Sequence, residues 1–253
     1  MFWSSAKLPV KEDERKWIEE ALHWMIEQFG RDFFLARRVI LPEPAFFPDK
    51  FTGTEESVYA LVARVCSYME VNPNRLEVEL FSDRDDTVSK HNLGGEDYSG
   101  AAGLYFHPAS AQERAKVSIN VSKLNNPTAL VATIAHELGH VILLGDGRLS
   151  RDDKSHEYMT DLLTVFLGLG IFTANSVVQF SQWQSHSHQG WSISRQGYMT
   201  EEQFGYALAA CAWMKNDSGN PWSKHLCLNV KQYFKNSLKF LEKGEATSLK
   251  KLR

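Results

Sequence analysis

The sequence predicts an α+β protein built around one buried helix. Three observations carry this. Residues 127–144 are apolar nearly all round, with Ala129, Leu130, Val131, Ile134, Ala135, Leu138, Val141, Ile142, Leu143 and Leu144. A helix without a polar stripe belongs inside a core. Three short segments before it, 76–81, 102–106 and 116–121, carry the alternation or the β-branched and aromatic content of strands. Helical patterns flank this block on both sides, so strands and helices are grouped rather than strictly alternating.

The chain has 253 residues, enough to bury a full core in one domain or two small ones. Its composition, 43% hydrophobic and 23% charged, is that of an ordinary soluble globular protein. A net charge of −3 offers no basic surface for nucleic acid or anionic lipid. Cys66, Cys211 and Cys227 form no paired framework and have no zinc spacing, which points to a reducing, cytoplasmic location. The N-terminus lacks a basic start followed by an apolar core, so no secretory leader is expected. No apolar run is expected to reach membrane length; the longest candidate, 162–172, is short and broken by glycine. One domain is expected over 1–253, with an N-terminal α/β part (10–82), a catalytic core (100–172) and a C-terminal helical part (198–242).

In order, 10–29 reads as a helix through Trp17, Ala21, Trp24, Ile26 and Phe29, stopped by Gly30. Arg38-Val-Ile-Leu41 reads as a short strand ended by Pro42 and Pro44. Prolines 42, 44 and 48 and Gly53 make 42–54 a loop. Thr54-Glu-Glu-Ser opens a helix carrying Val58, Leu61, Val62, Val65, Cys66 and Met69. Residues 82–99 are polar and read as a loop. Asn126 is a good N-cap and Pro127 suits the first helical position of the apolar helix, which Gly145 ends. A second helix through Glu157 and Asp161 runs on to Phe166. The stretch 176–197, rich in Gln, Ser and His, reads as a surface loop with aromatic anchors. Thr200 and Gln203 form a capping box for the next helix, which buries Phe204, Ala207, Leu208, Cys211 and Ala212. A last helix over about 222–242 carries Leu226, Leu228, Val230, Tyr233, Phe234, Leu238 and Leu241, and the basic tail 243–253 is expected to be disordered.

The buried helix holds the chemistry. His136, Glu137 and His140 spell H-E-x-x-H, and residues four apart stack on one helix face, so both imidazoles can grip one metal ion. Two histidines and a carboxylate inside an apolar helix must be satisfied there, since unpaired buried polar groups cost about 1–3 kcal/mol each. A catalytic zinc takes three protein ligands and leaves a fourth position for water. Glu157 follows His140 with sixteen residues between, and Asp161 lies one helical turn further on. Gly145-Asp-Gly147 is a turn signal that lets the second helix fold back, presenting Glu157 to the metal and Asp161 to the outer nitrogen of a ligand histidine. His156, Asp152 and Asp153 are rival third ligands, His156 the strongest of them.

H-E-x-x-H at 136–140 followed by Glu157-x-x-x-Asp161 on a second helix resembles the gluzincin, or thermolysin-like, zinc metallopeptidases. The resemblance covers about 35 residues. It implies a zincin-like core with a small mixed sheet, and it implies Zn²⁺ held by His136, His140 and Glu157. It also implies Glu137 as general base and Asp161 as the residue holding a ligand histidine. The run Val117-Ser-Ile-Asn-Val121 before the same helix also resembles the small bacterial metallopeptidases that cleave repressors. Both resemblances imply hydrolysis of a peptide or protein substrate. In the gluzincins an edge strand beside the zinc lies along the extended substrate. That role falls here on 101–106, with Gly103, Leu104 and Tyr105 as substrate-binding residues, and Leu104 and Phe106 alternating into the core.

Zinc bound by two imidazoles and a carboxylate lowers the pKa of its water toward about 7, and Glu137 is placed to take the proton. Tyr158, His186, His188, Arg195 and Tyr198 are the candidates for stabilising the oxyanion. Two alternatives stand beside peptide cleavage: a zinc-stabilised interaction module without catalysis, and a metal-dependent amidase acting on a small amide. A base beside an open metal position favours catalysis. No nucleic-acid or membrane partner is expected.

Overall fold

A computed structural model describes residues 8–81, 102–108, 113–121, 125–177, 199–217, 219–243 and 247–252. They form a mixed α+β structure with a small three-stranded sheet. The chain divides into two compact units, one drawn from Met1–Leu41, Glu157–Val177 and Tyr198–Arg253, the other from Pro42–His156 and Val178–Gly197. The expected loop at 82–99 lies outside the described residues, as does 178–197 of the loop expected at 176–197, whose first two residues are helical instead.

In the second unit, Thr54 caps a helix over Glu55–Met69 (α3) by accepting from the backbone N–H of Ser57. Its apolar residues Val58, Val62, Val65 and Cys66 are buried, and the helix packs on the one over Pro127–His140 (α4). Three strands, Leu76–Phe81 (β1), Gly103–Phe106 (β2) and Ala115–Asn120 (β3), pair in the order β1-β3-β2. β1 runs parallel to β3, with Val78 opposite Val117. β2 runs antiparallel to it, with Gly103 opposite Ile119 and Tyr105 opposite Val117. Among the described residues β2 therefore stands at the sheet's edge.

Alternation along a strand assigns the faces. Val117 and Ile119 are fully buried, and Gly103 and Tyr105 share their face. The other face carries Lys116 and Glu79, paired at 2.6 Å, with the Lys116 ammonium 5.7 Å from the Phe106 ring. This corrects one expectation. Leu104 and Phe106 do not alternate into the core; they lie half-buried on the face with Lys116, because the inward positions are taken by Gly103 and Tyr105.

α4 starts as its sequence implies. Asn126 Oδ1 accepts from Ala129 N at 3.1 Å, and Pro127 is the first helical residue. Every position from Ala129 to His140 is buried. The helix then widens into a π turn, Val141–Gly145, with Asp146 N donating to Val141 O at 3.1 Å and Arg148 N to Leu143 O at 2.9 Å. Together Pro127–Gly145 is long and apolar enough to cross a membrane, which corrects the expectation that no run reaches that length, and 89% of its most apolar 18-residue window is buried inside the protein.

The first unit is helical. It contains Glu12–Phe29 (α1), Arg31–Ala36 (α2), His156–Phe166 (α5, from Glu157 on), 170–177 (α6), Glu201–Met214 (α7) and Leu228–Glu242 (α8). The strand expected at 38–41 is absent, and α2 precedes this stretch instead. The helical turn presents Phe33 and Phe34 to Phe166, with ring centroids 6.5 and 5.0 Å away, beside Phe29 at 5.5 Å. Residues 38–41 follow without regular secondary structure, with Ile40 N donating to Gly168 O at 2.9 Å. Gly168 is required there. Its φ is +93°, and a Cβ would lie 2.2 Å from Arg38 O.

Thr200 and Gln203 make the expected capping box on α7. The last helix begins at Leu228, after a 3₁₀ turn over Pro221–His225, and Leu228 itself is exposed rather than buried. The tail departs most from expectation. Ser248–Lys251 forms a 3₁₀ turn, Leu249 is fully buried, and Ser248 donates to Glu19 Oε2 from both N and Oγ at 2.8 Å. Arg31 Nε also donates to Leu252 O at 3.2 Å, so a basic composition hides both the buried leucine and the polar partners that hold the tail.

Candidate metal centre

His136, His140 and Glu157 come together. One ligand atom from each lies within 4.8 Å of the others, and the group can hold a metal ion. The two histidines are buried and Glu157 is half-buried. On α4 the imidazoles lie one turn apart, with centroids 4.8 Å from each other and planes at 84°. Glu157 is the second residue of α5, directly bonded to His156, which ends the second unit. Two imidazole nitrogens and one carboxylate are a donor set that suits a metal ion, and the arrangement fits one.

Glu137, also buried, is not one of the three clustered ligands. Its side chain lies against β2. A Cβ on Gly103 would be 2.9 Å from Glu137 Cγ and Oε1, and 2.6 Å from Thr133 Cγ2. Only glycine allows the strand to approach the helix this closely.

The Tyr105 ring stacks on His140 at 5.7 Å, with planes 20° apart. Its hydroxyl shares a 3.0 Å hydrogen bond with His107 Nδ1. Burial pushes the Tyr105 pKa up to about 12, so the hydroxyl stays protonated at neutral pH. Just past the π turn, Asp146 pairs with Arg75 at 2.5 Å.

The remaining sequence candidates are distributed as follows. Asp161 is buried on α5, and its Oδ2 accepts from Met199 N at 2.9 Å. Asp153 Oδ1 accepts from Ser155 N at 2.8 Å and Ser155 Oγ at 2.7 Å, bonds that lower its pKa and fix the turn into α5. Asp152 is exposed. The His156 ring is 5.7 Å from that of His140, yet the cluster that can hold a metal takes Glu157. Tyr158 packs edge-on against Trp17 at 5.6 Å. His186, His188, Arg195 and Tyr198 lie outside the described residues.

Sequence reasoning treated Tyr105 only as a substrate contact and gave His107 no role. The available signal was the spacing: Gly103 and Tyr105 are two apart on a strand, so whatever faces one faces the other. Compared with family models, curated proteins and solved structures, the chain matches none of them.

Proposed function

We propose that the chain is a zinc-dependent hydrolase of peptide bonds, with a zincin-like core of the gluzincin kind. The observation that carries this reading is the convergence of His136, His140 and Glu157, from two helices, with Glu137, the residue after the first histidine, left outside the ligand set. A zinc ion held there would supply an acidified water and a positive pole for the scissile carbonyl. Glu137 would take the proton from the attacking water and return it to the leaving amine. Asp161, one turn after Glu157, would keep a ligand imidazole in its binding tautomer. The edge of β2 would pair with the extended substrate through main-chain N–H and C=O groups, which set register without reading side chains.

A structural metal site would use a closed ligand shell and gain nothing from a buried carboxylate placed next to the first ligand. The test is Glu137→Gln in the full chain, assayed with zinc-loaded protein on an internally quenched peptide library. The amide keeps the shape and cannot accept the proton. Wild type should cleave, and the variant should bind zinc equally and cleave nothing. Cleavage unchanged in the variant would remove Glu137 from the chemistry. Absence of peptide cleavage by zinc-loaded wild type would contradict the peptidase reading.

A further inference from the structure

We infer that Tyr105 is a positioning residue for the metal ligand His140. The inference rests on the zinc reading of the site and deepens it. Three contacts fix the tyrosine. Its ring lies nearly parallel to the His140 imidazole at 5.7 Å. Its hydroxyl is tied to His107 Nδ1 at 3.0 Å, two residues along the chain. Its tip also meets the far end of the π turn, where a Cβ on Gly145 would lie 3.3 Å from the hydroxyl oxygen. The side chain thus spans the segment from His140 to Gly145, the part of the helix where α geometry opens into π geometry.

That segment needs support. A π turn replaces the regular ladder just after the second histidine, so His140, unlike His136, stands where α geometry gives way. An imidazole on a helix also retains rotation about its terminal torsion, which is broad. A ring stacked on its face restricts that rotation and leaves the nitrogen edge open toward the metal. The hydroxyl's bond to His107 supplements the stack rather than replacing it, and Gly145 leaves room for that hydroxyl. A residue committed in this way on one face of β2 is not the side chain that reads substrate. Its partner on the same face, Gly103, meets Glu137, so this face of the strand serves α4 throughout.

The test is zinc affinity, measured by competition with a chromophoric chelator on the full chain, with thermal unfolding of the metal-free proteins as the control for folding. Tyr105→Ala should weaken zinc binding by about 10–100-fold, the usual cost of losing a group that orients a ligand. Tyr105→Phe keeps the stack and should stay close to wild type. Tyr105→Leu, which preserves apolar bulk, should fold and still bind weakly. Wild-type affinity in the Ala and Leu variants would overturn the inference and leave the metal reading standing. Equal losses in the Phe and Ala variants would also overturn it, by moving the whole effect to the hydroxyl. If wild type itself binds no zinc, the metal reading fails, and this inference with it.

Discussion

Gly103 lies directly against Glu137: a Cβ at position 103 would sit 2.9 Å from both Cγ and Oε1 of that glutamate. β2 and α4 therefore approach too closely for a Cβ at position 103, and the glycine leaves the space that the carboxylate fills. A single methyl group added there must move Glu137, Thr133 or the strand.

Gly103→Ala should accordingly leave zinc binding nearly intact, because neither histidine is touched. Peptide turnover should fall by about 100-fold, the scale on which a catalytic group displaced by 1 Å loses rate. Zinc content and turnover measured on the same preparation check this. Wild-type turnover in a folded variant would show that Glu137 has room the geometry denies it.

Glu19 anchors the first unit. Its buried carboxylate accepts from Arg15 at 2.8 Å, Tyr206 at 2.6 Å and Ser248 N and Oγ at 2.8 Å. Glu19→Ala should cost about 3–5 kcal/mol, since it removes one member of the buried ion pair that Glu19 makes with Arg15. Denaturant unfolding measures it.

The same carboxylate predicts a pH dependence. Burial alone would raise its pKa, but the bonds from Tyr206, Ser248 and Arg15 outweigh that and hold it below the ordinary 4.5. A folded-state pKa below the unfolded one gives stability that is present above pH 4.5 and lost as pH falls through the folded value. The stability gap between wild type and Glu19→Gln should therefore narrow below that pH. A constant gap down to acid denaturation would show that the proton linkage lies elsewhere.

The C-terminal turn should be part of the stable fold. Leu249 is fully buried, so Leu249→Ala should cost about 2–5 kcal/mol, as other core leucine truncations do. Deleting 247–253 should cost at least as much, because it also strips two donors from Glu19. Unchanged unfolding midpoints in both would mean that the tail contributes nothing.

Local rules served well where local physics decided the outcome. Asn126, Pro127 and the apolar run set α4, Thr54 and Thr200 set two helix starts, and the spacing from His140 to Glu157 brought the third donor to the two histidines. They failed where distant partners decided. Val39 and Ile40 have strand propensity, yet the chain before them is helical so that Phe33 and Phe34 can reach Phe166. Glu19 and Ser248 are 229 residues apart, and nothing near either one announces the other. On β2 the alternation of Leu104 and Phe106 suggested the wrong inward face, because the right one is occupied by a glycine and a tyrosine fitted to α4.

The most direct test of the whole account is metal analysis of the purified full chain beside His136→Ala, His140→Ala and Glu157→Ala. Wild type should carry about one zinc per chain, the stoichiometry of a single three-ligand site. Each variant should lose most of it while remaining folded. Zinc retained at the wild-type level in any of the three, or no zinc taken up by wild type on titration, would contradict the assignment.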